Sequence, residues 1–173
     1  MNYEEARNYI AHIQGNLGSD YSLKEVTRLA EYMDRPDKKL QIVHIAGTNG
    51  KGSVLAYVST VLKEAGYKVG RYISPTIFSY RERIQVNESY ISREDLIRLT
   101  EKVKAAGDQL LAEGRQHPTM FEMETAIAFL YFAEQNCDLV VLEVGMGGRR
   151  DATNVIRNTK VAVLASISMD HMG

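Results

Sequence analysis

Seven residues, Gly47-Thr48-Asn49-Gly50-Lys51-Gly52-Ser53, stand between an apolar run and a stretch of helical pattern. The run is Leu40-Gln41-Ile42-Val43-His44-Ile45-Ala46, and the helical stretch lasts to Ala65, where Gly66 supplies a stop. A strand, a glycine-rich turn and a helix in that order belong to layered α/β proteins, in which the helix folds back over the strand it follows. The same segment can hold phosphates. Glycines let backbone N–H groups converge on an anion, the helix start lends its positive end, and Lys51 adds a point charge within reach of the β- and γ-phosphates. Ser53 offers a hydroxyl to a phosphate or its magnesium ion. The spacing departs from the common G-x-x-x-x-G-K-[ST] pattern, because Ile45 occupies the first glycine position and Gly52 separates Lys51 from Ser53. Gly47 to Ser53 are the expected triphosphate-binding residues.

The remaining pattern extends the layered fold. Tyr3 to Gln14 reads as a helix with Ala6, Tyr9, Ile10 and Ile13 on one face, and a loop runs from Gly15 to Tyr21. Ser22 with Glu25 has the spacing of a capping box for a second helix, whose stripe is Leu23, Val26, Leu29, Ala30 and Met33. Lys68 to Ile73 is a strand ended by Ser74-Pro75, and Arg83 to Ile91 a hairpin turning at Asn87-Glu88. Ser92 caps a helix to about Glu113, and Thr119 with Glu122 opens another to Gln135. Asp138 to Val144 and Lys160 to Ile167 read as strands covered on both faces. Helices between the early strands predict a doubly wound, mostly parallel sheet with flanking helices. Ligands of such sheets bind at the carboxyl ends of the strands. The unusual residues fall at those ends: the glycine loop, Ser74, Glu143-Val144-Gly145 and Asp170-His171.

With 173 residues the chain suffices for one domain. It stops at Gly173, soon after a strand and with no covering helix, so a truncated chain is expected. A net charge of -1 gives no bulk attraction to nucleic acid or to an anionic membrane. The lone Cys137 excludes an internal disulfide and reads as a buried, inert thiol. Met1-Asn2-Tyr3-Glu4-Glu5 lacks the basic start of a signal peptide, and no run approaches the ~20 apolar residues of a membrane span, so a cytoplasmic location is expected.

Several ordered segments together carry a resemblance. The loop Gly47 to Ser53 is joined by Tyr72-Ile73-Ser74-Pro75, Glu82-Arg83-Ile84, Phe121-Glu122, Leu142-Glu143-Val144-Gly145-Met146-Gly147-Gly148-Arg149, Asp151-Ala152-Thr153-Asn154 and Asp170-His171. Over essentially its whole length the chain resembles the folylpolyglutamate synthase/dihydrofolate synthase branch of the Mur ligase superfamily. The resemblance implies a P-loop, Mur-ligase-like central domain, with residues 1–173 as the N-terminal part of the ATP-binding catalytic domain and the glutamate-binding domain absent. It implies an ATP-dependent ligase that adds L-glutamate to a folate through an acyl phosphate, giving ADP and phosphate. The joining of glutamate to dihydropteroate is a second activity that the sequence does not separate.

The resemblance assigns ATP and Mg2+ as cofactors and Lys51, Glu143 and His171 as catalytic residues. It makes Ser74, Glu143 and His171 magnesium ligands, and Phe121, Glu122, Arg150 and Asp151 substrate contacts. Asp20-Tyr21-Ser22-Leu23 corresponds to another substrate-lining loop. Read without the resemblance, Glu143 is a carboxylate ending an apolar strand, where an unpaired charge is costly, and a salt bridge there is the other reading. Phe121 and Glu122 equally suit helix packing and capping, and His44 a satisfied core histidine. His12 and His117 look incidental. Family members carry a lysine beyond the Asp-His motif and a second domain, neither found within these 173 residues, so the chain alone is expected not to turn over. Two other functions remain open: a Mur-type ligase for a peptidoglycan precursor, and a nucleotide-binding module without ligase chemistry.

Overall fold

The computed structural model describes residues 1–13 and 22–168. Two helices come first, α1 (Tyr3–Ala11) and α2 (Lys24–Tyr32). The strand β1 (Ile42–Ala46), the helix α3 (Lys51–Glu64) and the strand β2 (Val69–Tyr72) form the phosphate-loop unit. A hairpin of β3 (Ile84–Val86) and β4 (Ser89–Tyr90) follows, then α4 (Arg93–Ala112), α5 (Met120–Glu134), β5 (Leu139–Glu143) and β6 (Thr159–Leu164). Among the described residues the strands make one sheet in the order β4-β3-β2-β5-β1-β6. β2, β5, β1 and β6 run parallel, and the hairpin adds an antiparallel margin beside β2.

Strand alternation sorts the core into two layers. Val43, Ile45, Val69 and Val141 face α3 and pack with its Leu55. Ile42, Tyr72, Val140 and Leu142 face the other way, toward α5 and, beyond it, α1, α2 and α4. α5 is buried from Met123 to Phe132 without a break, because it lies between the sheet and the outer helices. A helix apolar all round is what such a central position requires. No helix among the described residues is long and apolar enough to cross a membrane.

The local signals mostly act as expected. Ser92 and Thr119 accept hydrogen bonds from the amides of Asp95 and Glu122, opening α4 and α5. Asn87 and Glu88 take positive φ in the two-residue turn of the hairpin. One expectation fails. The Ser22–Glu25 box does not form: α2 begins at Lys24 with Leu23 as an N-cap that makes no side-chain bond. Glu25 is drawn away by Arg115, whose Nε and Nη2 lie 3.0 and 3.3 Å from its two oxygens. β6 pairs with β1 alone among the described strands, and five of its six residues are exposed within these 173 residues.

Candidate active site

Parallel register gathers one rim. Ile45 pairs with Glu143 across β1 and β5, and Tyr72 with Leu142 across β2 and β5. Gly47, Ser74 and Gly145 therefore leave the sheet from the same edge. After β1 the chain turns to α3 on one face; after β5 it turns through Gly145–Gly148 to the short helix Ala152–Val155, which packs with the opposite layer. Adjacent strands whose connections diverge to opposite faces open a crevice at their carboxyl ends, and this is where α/β sheets bind ligands.

The glycine loop divides into two halves. Gly47 lies against the segment after β6: at φ +146°, a Cβ added there would stand 3.0 Å from Ala165 Cβ. The amides of Thr48 and Asn49 donate to the Ser166 carbonyl at 2.8 and 3.3 Å. The second half is open. Gly50, at φ +83°, is the N-cap of α3 and no side chain caps it, while Gly50, Gly52 and Ser53 are exposed. The intrahelical ladder starts with Val54 N donating to Gly50 O (3.0 Å), so the first-turn amides point outward at the positive end of a 14-residue helix. Lys51 Nζ arches over the loop and donates to Gly47 O (2.9 Å) and Thr48 O (3.4 Å).

Glu143 and Ser74 stand beside this cradle. Glu143 is only 7% exposed, and among the described residues its carboxylate accepts a single hydrogen bond, from the Ser74 amide at 3.3 Å. Burial pushes its carboxyl up, against the opposing pull of that amide and of the Lys51 ammonium. The Ser74 hydroxyl oxygen is buried with no hydrogen-bond partner among the described residues. A buried hydroxyl left unspent beside an under-solvated carboxylate fits an oxygen-liganded divalent cation that completes its shell with phosphates and water. Among the described residues no group of three His, Cys, Asp or Glu side chains converges to hold a metal by itself.

The other expected site residues are dispersed around the crevice. Phe121 is half-buried under the loop after β5, so close that a Cβ on Gly145 would meet its Cζ at 2.7 Å. Glu122 accepts from Thr119 N at 2.7 Å, the capping role that the sequence also allowed. Asp151 is buried with both oxygens engaged: Oδ2 accepts from Met146 N (2.9 Å), and Oδ1 from Thr153 N (3.0 Å) and Thr153 Oγ1 (2.5 Å). Thr153 Oγ1 also meets His44 Nε2 at 2.8 Å, and burial lowers the pKa of that imidazole, so His44 is the satisfied interior histidine expected. Arg150 is exposed beside them. Asp170 and His171 lie outside the described residues, as do Asp20 and Tyr21; Ser22 and Leu23 immediately precede α2. Cys137 is buried, with its thiol pushed up to about 11 by desolvation, as an inert cysteine should be.

Sequence reasoning gave no role to a buried polar cluster behind Ser74. Arg83 pairs with Glu124, Tyr80 OH donates to Glu124 Oε1 (3.0 Å), and the Arg83 guanidinium lies 4.7 Å from the Tyr80 ring centre. Burial pushes the Glu124 carboxyl up, while Arg83 and Tyr80 hold it down. Arg83 O accepts from Ile73 N at 3.0 Å, tying the cluster to the residue before Ser74. The signal was a lone carboxylate inside the apolar run Met123–Ala133. Glu82 was likewise only a motif letter; its carboxylate gathers the amides of Ile77, Phe78 and Ser79 and so folds the loop after Ser74.

The Mur ligase middle domain matches residues 45–173. The dihydrofolate synthase/folylpolyglutamate synthase of Bacillus subtilis is 42% identical over 98% of this chain and 39% of its own length. The folylpolyglutamate synthase of Lacticaseibacillus casei is 35% identical over 99% of the chain and 40% of its own. A solved FPGS–AMPPCP–folate complex superposes with a TM-score of 0.93 at 35% identity, covering 99% of this chain and 42% of that one. The folylpolyglutamate synthase of Thermotoga maritima gives 0.88 at 40% identity, over 96% and 38%. The chain thus spans about two fifths of the length of these relatives. With its strand-end rim, its loop sequence and these likenesses in agreement, the chain belongs to the Mur ligase superfamily, in the branch of the folylpolyglutamate and dihydrofolate synthases.

Proposed function

We propose that this chain is the nucleotide-binding part of a ligase that joins L-glutamate to a folate at the expense of ATP. The single observation that carries the reading is the rim itself: an open helix N-terminus with Lys51, next to a buried carboxylate and an unspent buried hydroxyl, at adjoining strand ends. The relatives agree in kind, since one solved relative is a complex with the ATP analogue AMPPCP and folate.

Ligation of this type first transfers a phosphoryl group to a carboxylate. Two anions must approach, so the residues present have to hold the phosphates in line and neutralise them. The amides of Gly50 to Ser53 take phosphate oxygens, with Gly47, Thr48 and Asn49 shaping the loop in front of them. Lys51 shifts from the Gly47 and Thr48 carbonyls to the β- and γ-phosphates. Ser74, Glu143 and His171 are the assigned ligands of Mg2+, which when bound supplies the charge that lets the carboxylate approach. Phe121, Glu122 and Arg150 line the folate side of the crevice, and Asp151 contributes through the loop that it shapes. The incoming glutamate falls to residues outside this chain, in keeping with its being the N-terminal part of the catalytic domain. Relatives bearing both activity names support dihydropteroate as an alternative acceptor.

The test is ADP release by the full-length protein with ATP, Mg2+, tetrahydrofolate and glutamate, and by its Glu143→Ala variant. The reading expects folate- and glutamate-dependent turnover, and a loss of about a thousandfold in the variant, the scale of removing a principal electrostatic partner of the transferring group. Unchanged folate-stimulated turnover in Glu143→Ala would rule out the metal role assigned here.

A further inference from the structure

The front half of the glycine loop is spent before any phosphate arrives. Thr48 Oγ1 donates to Ser168 O at 3.0 Å, and Ser168 N donates back to Thr48 Oγ1 at 3.1 Å. A hydroxyl has one proton to give, and here it goes to a backbone carbonyl, so none is left for a phosphate oxygen. The Thr48 and Asn49 amides are committed as well, both to Ser166 O, and Asn49 and Ser166 form an antiparallel bridge. One residue earlier, Ala165 N donates to Ala46 O at 2.8 Å, and Gly47 admits Ala165 so closely that an added Cβ would stand 3.0 Å from the Ala165 Cβ. Residues 46–49 are thereby laced to residues 165–168, although some 120 positions separate them in sequence.

We propose that Thr48 is a positioning residue: it fastens the phosphate loop to the exit of β6 and leaves phosphate binding to Gly50 through Ser53. The proposal rests on the nucleotide-binding reading and refines it, since it divides the loop into a fixed half and a binding half. The fastening has a mechanical purpose. β6 pairs with β1 in parallel from Thr159 beside Ile42 to Leu164 beside Ala46, and the bonds from residues 165–168 carry that pairing past the strand end into the loop. The reciprocal hydroxyl pair and the two amides thereby fix where Gly50 starts α3. A loop held in one shape binds a polyanion without having to be ordered first.

Two variants separate the hydroxyl from the shape. Thr48→Val keeps the branched side chain and removes both bonds; Thr48→Ser keeps both bonds. Ser168 is exposed, so water can take over its freed groups and the valine variant should fold. The first readout, amide hydrogen exchange in the nucleotide-free full-length protein, does not depend on activity. Exchange at Ser168 and Asn49 should quicken in Thr48→Val and stay near wild type in Thr48→Ser. The second readout is steady-state kinetics. Thr48→Val should raise KM for ATP about tenfold, equal to about 1.4 kcal/mol, with kcat and the KM for folate little changed and Thr48→Ser near wild type.

A Thr48→Val variant that leaves both exchange and KM for ATP unaltered overturns the proposal. So does one that raises KM with no change in exchange, because the hydroxyl would then touch phosphate directly. Lys51→Ala is the control for the underlying reading. If it weakens ATP binding while Thr48→Val is silent, only the fastening fails; if both are silent, the nucleotide site itself is wrongly assigned.

Discussion

The Glu143 carboxylate at the end of β5 accepts a 3.3 Å hydrogen bond from the Ser74 amide just past the end of β2, while the Ser74 hydroxyl beside it has no partner among the described residues. Two polar groups on neighbouring strand ends thus keep oxygen lone pairs unspent in a place where burial penalises both. Interiors rarely tolerate this without a purpose. The arrangement is suited to an ion that completes their bonding, and it is costly without one.

That cost gives the first prediction. Ser74→Ala removes a buried hydroxyl that lacks a partner among the described residues, so the metal-free protein should gain stability, by about 1 kcal/mol if the full desolvation of an unpaired hydroxyl is relieved. The same change should raise the Mg2+ concentration needed for half-maximal turnover. Urea unfolding with EDTA, set beside a Mg2+ titration of activity, checks both signs. A loss of stability with an unchanged Mg2+ requirement would mean that Ser74 serves packing.

Glu82 predicts a pH dependence. The Ile77 amide, followed by those of Phe78 and Ser79, holds its carboxyl below its ordinary value of 4.5. A carboxylate whose folded pKa is depressed adds stability that is fully present above the unfolded pKa and is lost as pH falls through the folded one. Wild type should therefore be more stable than Glu82→Gln at pH 7, and the gap should narrow as pH falls below 4.5. Thermal melts of both proteins from pH 7 to pH 3 measure it; a gap independent of pH would place the effect outside the Glu82 charge.

Glu124, 1% exposed, is the counter-charge of Arg83 and bonds its Nη1, while the Arg83 Nε has no partner among the described residues. Glu124→Ala strands a buried guanidinium and should destabilise the protein by about 3–5 kcal/mol. Replacing both partners with apolar residues, Arg83→Met with Glu124→Leu, should cost less than Glu124→Ala alone. Denaturation midpoints of the three proteins decide it, and a double variant as unstable as the single one would show that the cluster is held by shape.

Much of this was legible in the sequence, for identifiable reasons. The strand–loop–helix unit, the Asn87-Glu88 hairpin and the caps at Ser92 and Thr119 are local, and local chemistry decided them. What misled was tertiary. Ser22 and Glu25 have the spacing of a capping box, but Arg115, 90 residues away in sequence, captures Glu25. Asp151, which its motif proposes as a substrate contact, also has partners that spacing does not reveal: the amide of Met146 with the amide and hydroxyl of Thr153 engages its carboxylate. Spacing along a chain reveals which groups are near in sequence, and it is silent about competing partners brought in by the fold.

The rim composed of Gly50–Ser53, Ser74 and Glu143 is tested most directly by a crystal structure of the full-length protein with AMPPCP and Mg2+. The account predicts phosphate oxygens on the amides of Gly50 to Ser53, Lys51 Nζ turned onto the β- and γ-phosphates, and the metal bound by Ser74 Oγ and the Glu143 carboxylate. Phosphates seated away from the start of α3, or a metal that touches neither Ser74 nor Glu143, would contradict it.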